Sequence, residues 1–499
     1  MIRYYLTLVA TLLVCQTATA KVTAVNVVVV VNADSDDSQK IADAYIAARG
    51  VPRENLIELR GVPQGLKISL EEFKSKILMP VLRELDRRKL TPKTKVIAYS
   101  AGFPTSVNVS RHHDQIEDKD IKKYQRPTAS LTGLTYLYHF LLADSPNYLG
   151  FGSNRYARGR FERHFANPFT NPTEKSAFDG AIAASRSEQF TTAAEMFEKL
   201  FQQFPTLPVL AIFAAENRAL GEDDEAATLL IKQAISAGWR SAVYLRENPK
   251  LEDLVNRENL KPLIQQLGNH PKAVQEPIGF SSQVGWSNNG YPFNKFDRGI
   301  RYMMSCMLAV VHERGSTVDQ AVEVLERAAK SDFTYPRGEF WFTNTKDIRT
   351  KARFPAIGDS LEWLGYLGQD ADLVHSAMPK SEGNCIGLML GTASMNLKNT
   401  PWKFMPGAIS ENLTSLSAAF GTSSQSKITD LLHAGAALSG GAVAEPYSIP
   451  NKFPSPMLYG YYASGVSGIE AFYLSIASPY QYLIVGDPLV QPFARPVKN

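Results

Sequence analysis

The run VNVVVVVN at residues 25–32 decides the fold class of this chain. Near-continuous β-branched residues are typical of a parallel strand that is buried on both faces of a sheet. Acidic and hydroxyl residues at 34–38 follow, and they can cap a helix that the sequence predicts at residues 39–49. Gly50 ends that helix, and residues 55–59 form a second predicted strand. The segment is therefore predicted to be a β-α-β unit.

The same pattern repeats in the next segment. Residues 70–88 are predicted to be helical, with Ser69 and Glu72 at the spacing of a capping box, and residues 94–100 form a third predicted strand. Alternating strands and helices predict an α/β fold, with a mostly parallel sheet and helices on both faces. We assign residues 21–146 to the first part of this domain.

Residues 1–20 have the features of a secretory signal peptide. Arg3 precedes an apolar stretch at residues 6–14, and Ala18-Thr19-Ala20 supplies a small-residue cleavage site. We expect a mature chain that starts at Lys21 and is exported to the periplasm or the cell exterior. The alternative is a membrane anchor, but about ten apolar residues are too few to span a bilayer. No later segment is long and apolar enough to be transmembrane.

The overall charge argues against two classes of partner. The chain has 53 Lys and Arg residues against 49 Asp and Glu residues, so its charge is nearly balanced. Neither nucleic acid nor an anionic membrane is therefore an expected partner. The sequence has no Gly-rich phosphate loop, no His-Glu-x-x-His motif and no cysteine-pair metal site, so no cofactor is predicted.

A helical segment interrupts the α/β pattern. Residues 147–175 are rich in Gly, Asn and Arg and are predicted to be a linker, and residues 176–270 have helical periodicity throughout. AAEMFEKL at 193–200 and AATLLIKQ at 226–233 recur at a period of 33 residues. This insertion resembles tetratricopeptide repeats, whose stacked hairpins bind proteins, and that resemblance implies a protein partner. An irregular helical insertion is the alternative.

Residues 271–499 are assigned to the second part of the α/β domain. Helices are predicted at residues 301–313, 318–330 and 359–367. Strands or extended segments are predicted at residues 338–344, 373–376, 385–390, 435–443 and 482–485. Cys306 then falls within a helix, and Cys385, the first residue of its apolar run, precedes the strand proper. A disulfide between them and two buried thiols are both open at this point.

These elements support a named resemblance. The opening β-α-β-α-β, the strand HAGAALSGGA at 433–442, a helix at 467–477 and the ending GDP at 486–488 resemble the gingipain-like, caspase-related fold. The whole chain also resembles a family of exported proteins from bacteria that carry the exosortase sorting system. The matching runs are RYMMSCML at 301–308, SDFTYPRG at 331–338, PGA at 406–408, AEPY at 444–447 and VGDPL at 485–489.

The resemblance does not extend to the peptidase residues. In the related peptidases a histidine follows one strand and a cysteine follows the next, because a thiolate needs an adjacent base. The first position here is LGTAS at 390–394, which contains no histidine, and the second, at residues 402–416, contains no cysteine. The resemblance therefore implies this fold without its cysteine-peptidase dyad.

Other side chains could carry chemistry at the carboxyl edge of the sheet. Ser394, Ser410 and Ser415 are candidate hydroxyl nucleophiles, and His433, at the start of a small-residue strand, is the candidate base. Glu445 and Glu470 form a candidate carboxylate pair, although Glu470 also fits a helix first turn. Structural roles are the alternative for each.

Aspartates follow the first strand, where open α/β sheets place ligands. Asp34, Asp36 and Asp37 could bind a divalent cation such as magnesium or calcium, which prefers carboxylate oxygens. Helix capping and complementation of the helix dipole are the simpler interpretation, and we favour it.

The leading hypothesis from the sequence is an exported, non-peptidase member of the caspase-related fold. It would act as a binding or assembly protein of the cell envelope, with the helical repeats as partner surface. A hydrolase that uses serine, carboxylate or metal chemistry at the carboxyl edge of the sheet is the alternative.

Overall fold

The computed structural model describes residues 22–158, 169, 171–205, 207–239, 242–267, 279–288, 290, 292–293 and 298–495. The predicted signal peptide and Lys21 lie outside the described residues, as do part of the predicted linker and residues 268–278. Within the described ranges, no helix combines the length and the hydropathy needed to cross a bilayer.

Ten strands form one large sheet. They are β1 Val27–Asn32, β2 Leu56–Leu59, β4 Val96–Tyr99, β7 Met304–Met307, β8 Glu339–Thr343, β9 Asp370–Val374, β10 Gly383–Leu390, β11 Trp402–Asn412, β12 Leu438–Ala442 and β13 Tyr482–Gly486. A second sheet contains β3 Lys67–Ser69, β5 Ser106–Asn108 and β6 Thr128–Ser130. The predicted α/β class with a mostly parallel sheet is confirmed.

The large sheet consists of two parallel halves that run in opposite directions. The spatial order is β2-β1-β4-β7-β13-β12-β11-β10-β8-β9. Neighbouring strands are parallel in this sheet except at β12 and β13, which pair antiparallel. We call β2, β1, β4, β7 and β13 the first half-sheet and the other five strands the second half-sheet. Their carboxyl ends therefore lie at opposite edges.

Helices connect these strands and form the insertion. They are α1 Asp36–Arg49, α2 Leu70–Glu72, α3 Met79–Arg87, α4 Ser110–Asp114, α5 Lys119–Tyr124, α6 Leu131–Tyr136, α7 Tyr138–Leu142, α8 Pro172–Arg186, α9 Phe190–Gln203, α10 Pro208–Leu220, α11 Asp224–Ser236, α12 Ala242–Glu247, α13 Glu252–Val255, α14 Lys261–Leu267, α15 Val318–Ala329, α16 Ile348–Lys351, α17 Ile357–Tyr366, α18 Ile428–Ala434, α19 Met457–Ala463 and α20 Gly468–Ser475. The predicted capping box of Ser69 and Glu72 is present at the start of α2.

The predicted helix at residues 301–313 is wrong, because this segment contains strand β7. All four residues of β7 are buried, and the strand lies between β4 and β13 in the middle of the sheet. Met and Leu have good helix propensity, but tertiary packing on both faces overrides that preference here. A short buried run of this kind has no alternation that would distinguish a strand from a helix.

Three further predictions about position are corrected. Cys306 lies in β7 rather than in a helix, and Cys385 lies within β10 rather than before it. Both are free buried thiols. Three strands separate β7 from β10, so about 19 Å of sheet lies between them, far beyond disulfide reach. His433 lies in the last turn of α18, not at the start of a strand, because Gly435 at φ 130° ends the helix before β12 begins.

The helices of the insertion pack in sequence order. Helix α8 packs on α9, α9 on α10 and α10 on α11. Aromatic rings of three successive helices meet in the interior, with Phe178 and Phe213 both contacting Phe197. The array is attached to the α/β domain at α12, where the Tyr244 ring lies 6.3 Å from that of Phe354. The two motifs with the 33-residue period fall on α9 and α11.

Candidate functional site

A cavity of about 280 Å³ opens at the carboxyl edge of the second half-sheet. Its walls come from segments that follow β8, β11 and β12. Open α/β sheets place ligands at this kind of edge. Larger cavities, of about 500 and 580 Å³, lie beside α15 and beside Arg155, and no segment that follows a strand of this half-sheet lines them. We call the 280 Å³ cavity the edge cleft, and the side chains that matter below are those of Ile348, Arg349, Ser415, Glu445 and Tyr447.

The loops that form the edge cleft are fixed by polar side chains of the strand ends. Asn412, the last residue of β11, exchanges two hydrogen bonds with the backbone of Thr392 in the loop after β10. Thr414 donates its hydroxyl to Gln425 Oε1 at 2.9 Å. Asp347 caps α16 by accepting from the Arg349 amide at 2.9 Å. These bonds hold the walls of the cleft without using the hydroxyl of Ser415.

Opposite charges face the edge cleft. The Arg349 Nη1 atom lies 2.9 Å from Asp347 Oδ2, and Glu445 Oε1 accepts the Tyr447 amide at 2.7 Å. Tyr447 has φ of +54°, a conformation that a bulky side chain rarely adopts. Such backbone strain occurs mostly at ligand sites and switch regions. The Glu445 carboxylate helps to hold Tyr447 in it.

The ring of Tyr447 is braced from behind. The Arg126 guanidinium lies 4.9 Å from its centroid, and Tyr124 meets it edge-on at 5.5 Å. The ammonium group of Lys452 lies 5.9 Å from the Tyr447 centroid and 5.7 Å from that of Tyr480. Contacts of this kind between cations and rings are attractive, and they strengthen as water is excluded.

Lys452 is buried although it is a lysine. Its Nζ atom donates to Tyr124 O at 2.5 Å and to Gln481 Oε1 at 3.0 Å. Burial is the main reason that its pKa is lowered to about 7; the charge of Glu445 opposes this shift, and Arg126 adds to it. Sequence reasoning missed Lys452 and Arg349, because no motif or spacing distinguishes either residue from a surface cation.

A buried ion pair lies at the ends of β10 and β11. Glu411 of β11 is bonded to Arg353 Nη1, and Arg353 Nη2 donates to the carbonyl of Leu390, the last residue of β10. Both side chains are at most 3% exposed. Burial raises the pKa of Glu411, while Arg353 opposes that rise. The pair joins the two strand ends.

The candidate nucleophiles do not meet the candidate base. Ser410 is buried, and its hydroxyl donates to Leu388 O at 2.8 Å. Ser394 is exposed in the loop after β10, and Ser415 lines the edge cleft. Within the described part of the chain, no imidazole lies within hydrogen-bond reach of these three hydroxyls.

His433 instead contacts a serine that the sequence did not single out. Its Nε2 atom lies 2.9 Å from the hydroxyl of Ser316, which follows β7 in the first half-sheet. Burial lowers the pKa of His433, so the imidazole is neutral near pH 7. The pair was not visible in the sequence because residues 316 and 433 are brought together only by the fold.

The candidate carboxylate pair is not a pair in the structure. Glu445 lines the edge cleft, whereas Glu470 is buried in the first turn of α20. Glu470 accepts the hydroxyl of Ser467 at 2.8 Å, which completes a capping box. Burial raises the pKa of Glu470. The helix-terminus role therefore accounts for this residue.

The three aspartates after β1 have structural roles in a loop and at the start of α1. Asp34 accepts the Gly61 amide at 2.6 Å and lies 3.4 Å from Arg60, and Asp36 and Asp37 occupy the first turn of α1. Ser35 is the N-cap of that helix. Over the residues that the structure describes, no group of three His, Cys, Asp or Glu side chains is arranged to hold a metal ion.

The thiols are chemically unsuited to nucleophilic attack. Burial raises the pKa of both Cys306 and Cys385 well above the ordinary value. A thiol in such surroundings is inert, because the thiolate is the reactive species. Neither thiol lies in the edge cleft, which lies at the strand ends.

Comparisons with protein-family models, with curated proteins and with solved structures yield no match. A functional assignment therefore rests on the residues and geometry of this chain.

Proposed function

We propose that this protein is an exported binding or assembly protein of the cell envelope and a non-peptidase member of the caspase-related fold. Its helical array, α8 to α14, is proposed to be of the tetratricopeptide type and to hold a protein partner. The inert thiols and the helix-cap role of Glu470 support binding rather than turnover. The signal-like start of the sequence supports export.

The outer face of α11 is the observation that carries this proposal. Ala227, Ile231 and Ala234 are buried on the inner face, so the array is packed without the outer residues. On the outer face Leu229 is 57% exposed, four residues after exposed Glu225. Leu220, which ends α10, is a second exposed leucine of the same hairpin. Leu229 is the proposed anchor for a protein partner, because burial of its exposed apolar surface on binding would be favourable.

The test is capture of envelope proteins by the full-length chain and its variants. Leu229→Glu is expected to remove a captured partner, because it places a charge in the anchor position. Val25→Glu is the matched control, since Val25 is 51% exposed but lies outside the array. Equal capture by Leu229→Glu, by the control and by a chain that lacks residues 176–268 would reject the partner surface.

A hydrolase is the second candidate, and the pair of Ser316 and His433 favours it. A neutral imidazole 2.9 Å from a serine hydroxyl can accept its proton. However, the amides of Gly315 and Ser316 both donate to backbone carbonyls, so neither is free to stabilise an oxyanion. Ser316 is also only 5% exposed. These two facts place the hydrolase second.

Labelling with a fluorophosphonate probe discriminates the two candidates. We expect no labelling of the folded chain and no turnover of fluorogenic peptides, esters or glycosides. Labelling that disappears in both Ser316→Ala and His433→Gln would establish the hydrolase. Turnover that is lost in Ser394→Ala or Glu445→Gln would move the catalytic site to the other edge of the sheet.

A further inference from the structure

We propose that the edge cleft binds a small zwitterion, an α-amino acid or dipeptide with an apolar side chain, through Arg349 and Glu445. The cavity of about 280 Å³ suits a ligand of that size. It is close to the lower end of the usual range for ligand pockets, which is roughly 300–1,000 Å³. The proposal concerns a site separate from the helical array and does not depend on it.

Arg349 has donors available for a carboxylate. Both contacts with Asp347 use the same guanidinium nitrogen, Nη1. Among the described residues, Nε and Nη2 of Arg349 have no hydrogen-bond partner, and the side chain is 27% exposed. A planar guanidinium with two free donors binds a carboxylate in bidentate fashion. Arg349 is therefore already oriented by Asp347 and still able to bind an anion.

Glu445 has an acceptor available for an ammonium group. Its Oε1 atom accepts the Tyr447 amide, which fixes the carboxylate at the wall of the cleft. Its other oxygen, Oε2, has no hydrogen-bond partner in the described part of the structure. Lys452 lies near but directs its Nζ atom to Tyr124 and Gln481 instead. An ammonium group from a ligand would meet an anion that has no cation bound to it.

The rest of the cleft suits an apolar side chain. Leu413 and Pro446 contribute to the wall, and Ile348 is 61% exposed at the rim. An apolar group of a ligand that covered Ile348 would remove this surface from water, which is favourable. The Ser415 hydroxyl, which makes no hydrogen bond within the described residues, adds a donor beside these walls. The strained backbone of Tyr447 lies in the same wall, and strain of this kind clusters at ligand sites.

Calorimetry and thermal shift with leucine and leucyl-leucine test the proposal on the full-length chain. Binding is expected for both or for one of them, which also identifies the preferred length. Leucine amide lacks the carboxylate and N-acetyl-leucine lacks the ammonium group, so each should bind about tenfold or more weakly. N-acetyl-leucine amide, which is uncharged, should not bind.

Variants assign the two charges separately. Arg349→Gln should weaken binding of leucine and N-acetyl-leucine about tenfold but leave leucine amide unchanged. Glu445→Gln should weaken binding of leucine and leucine amide about tenfold but leave N-acetyl-leucine unchanged. Lys398→Gln, which removes an exposed charge from a neighbouring loop outside the cleft, is the control and should bind as the wild type does. If a charge variant does not fold, Ser415→Phe tests the proposal instead. The phenylalanine ring would fill the cavity, so this variant should not bind leucine. Absence of zwitterion binding at millimolar concentration, or leucine binding as tight as that of the wild type in Arg349→Gln, Glu445→Gln and Ser415→Phe, would overturn the proposal.

Discussion

The two half-sheets use charge in opposite ways at their carboxyl ends. In the first half-sheet, Asp487 follows β13 and accepts Arg49 Nε at 2.6 Å, while Arg49 Nη1 reaches Asp332 at 2.5 Å. The side chains of Arg49 and Asp487 are 6% and 0% exposed. In the second half-sheet, Arg349 and Glu445 face a cavity, and each retains a polar atom without a partner among the described residues.

The charges at the first edge link structural elements to one another, whereas the charges at the second edge are available to bind a ligand. A buried ion pair gains little net stability, but it is costly to break because one charge is then left without compensation. Arg49 therefore acts as a joint between α1, β13 and the segment after α15. Arg349 and Glu445 are only partly desolvated in the free protein, so each can still form an ionic hydrogen bond with a ligand. The variants below test this contrast at both edges.

The largest effect is expected for Arg49→Met. The substitution leaves Asp487, which is fully buried, and Asp332, which is mostly buried, without the cation that they share. It should lower the free energy of unfolding by about 3–5 kcal/mol. Urea denaturation measures the loss. Arg53→Met is the matched control on an exposed pair with Asp43, for which at most about 1 kcal/mol is expected. Equal losses for the two variants would mean that the buried joint does not exist.

The second prediction concerns the ion pair at the base of the other edge. Arg353→Met leaves Glu411 without its cation and should cost about 3 kcal/mol or more near neutral pH. Burial already raises the folded-state pKa of Glu411, and loss of Arg353 raises it further. A carboxyl group with a raised folded pKa supports stability at low pH and loses that support as pH rises through the folded pKa. The deficit of Arg353→Met should therefore be smaller at pH 5 than at pH 8. A deficit that does not change with pH would contradict this.

Lys452 should give the wild type a distinct pH dependence of stability. Its folded pKa of about 7 lies below the ordinary value of 10.5, so between these values the unfolded chain holds a proton that the folded chain lacks. The contribution of Lys452 to the free energy of unfolding should therefore rise with pH across this window, by at most about 1.4 kcal/mol per pH unit. Lys452→Met should remove the rise, measured by urea denaturation at pH 7, 8 and 9.

Three variants check the assignment to Lys452. Lys398→Met removes an exposed lysine and should preserve the rise. Glu445→Gln removes the charge that opposes the shift, so it should lower the pKa of Lys452 and start the window at lower pH. Arg126→Gln should move it to higher pH, because Arg126 depresses the same pKa. If Lys452→Met keeps the rise, another group is responsible for it.

The sequence predicted individual strands and helices better than their spatial arrangement in the sheet. The valine run became β1 at Val27–Asn32 because a continuous β-branched segment is favourable in a buried strand wherever the sheet is completed. The reversal between β12 and β13 could not be predicted, since pairing direction depends on long-range packing rather than on either strand alone. That reversal places the two carboxyl edges on opposite sides and so separates the aspartates after β1 from Glu445.

The sequence indicated which side chains follow strand ends, but it did not indicate which residues meet in the edge cleft. Ser415 and Glu445 follow strands in the sequence, and both line the edge cleft in the structure. Arg349 joins them only because β8 lies beside β10, which no local pattern encodes. His433 was the candidate base by its proximity in sequence, at the start of a predicted strand, but its helix ends near Ser316 beyond β7. Spatial proximity between segments far apart in sequence was the missing information in each case.

The smallest effect is expected at the aspartates after β1. Asp34→Asn weakens a charge-assisted bond to the Gly61 amide, and it should lower the free energy of unfolding by about 1 kcal/mol. Asp36→Asn should cost less, about 0.3–1 kcal/mol, because it removes only a favourable charge from the first turn of α1. We expect millimolar calcium or magnesium to leave the melting temperature unchanged in the wild type and both variants. A cation-dependent rise that Asp34→Asn abolishes would instead make the first edge a second recognition site, and the contrast between the two edges would then be lost.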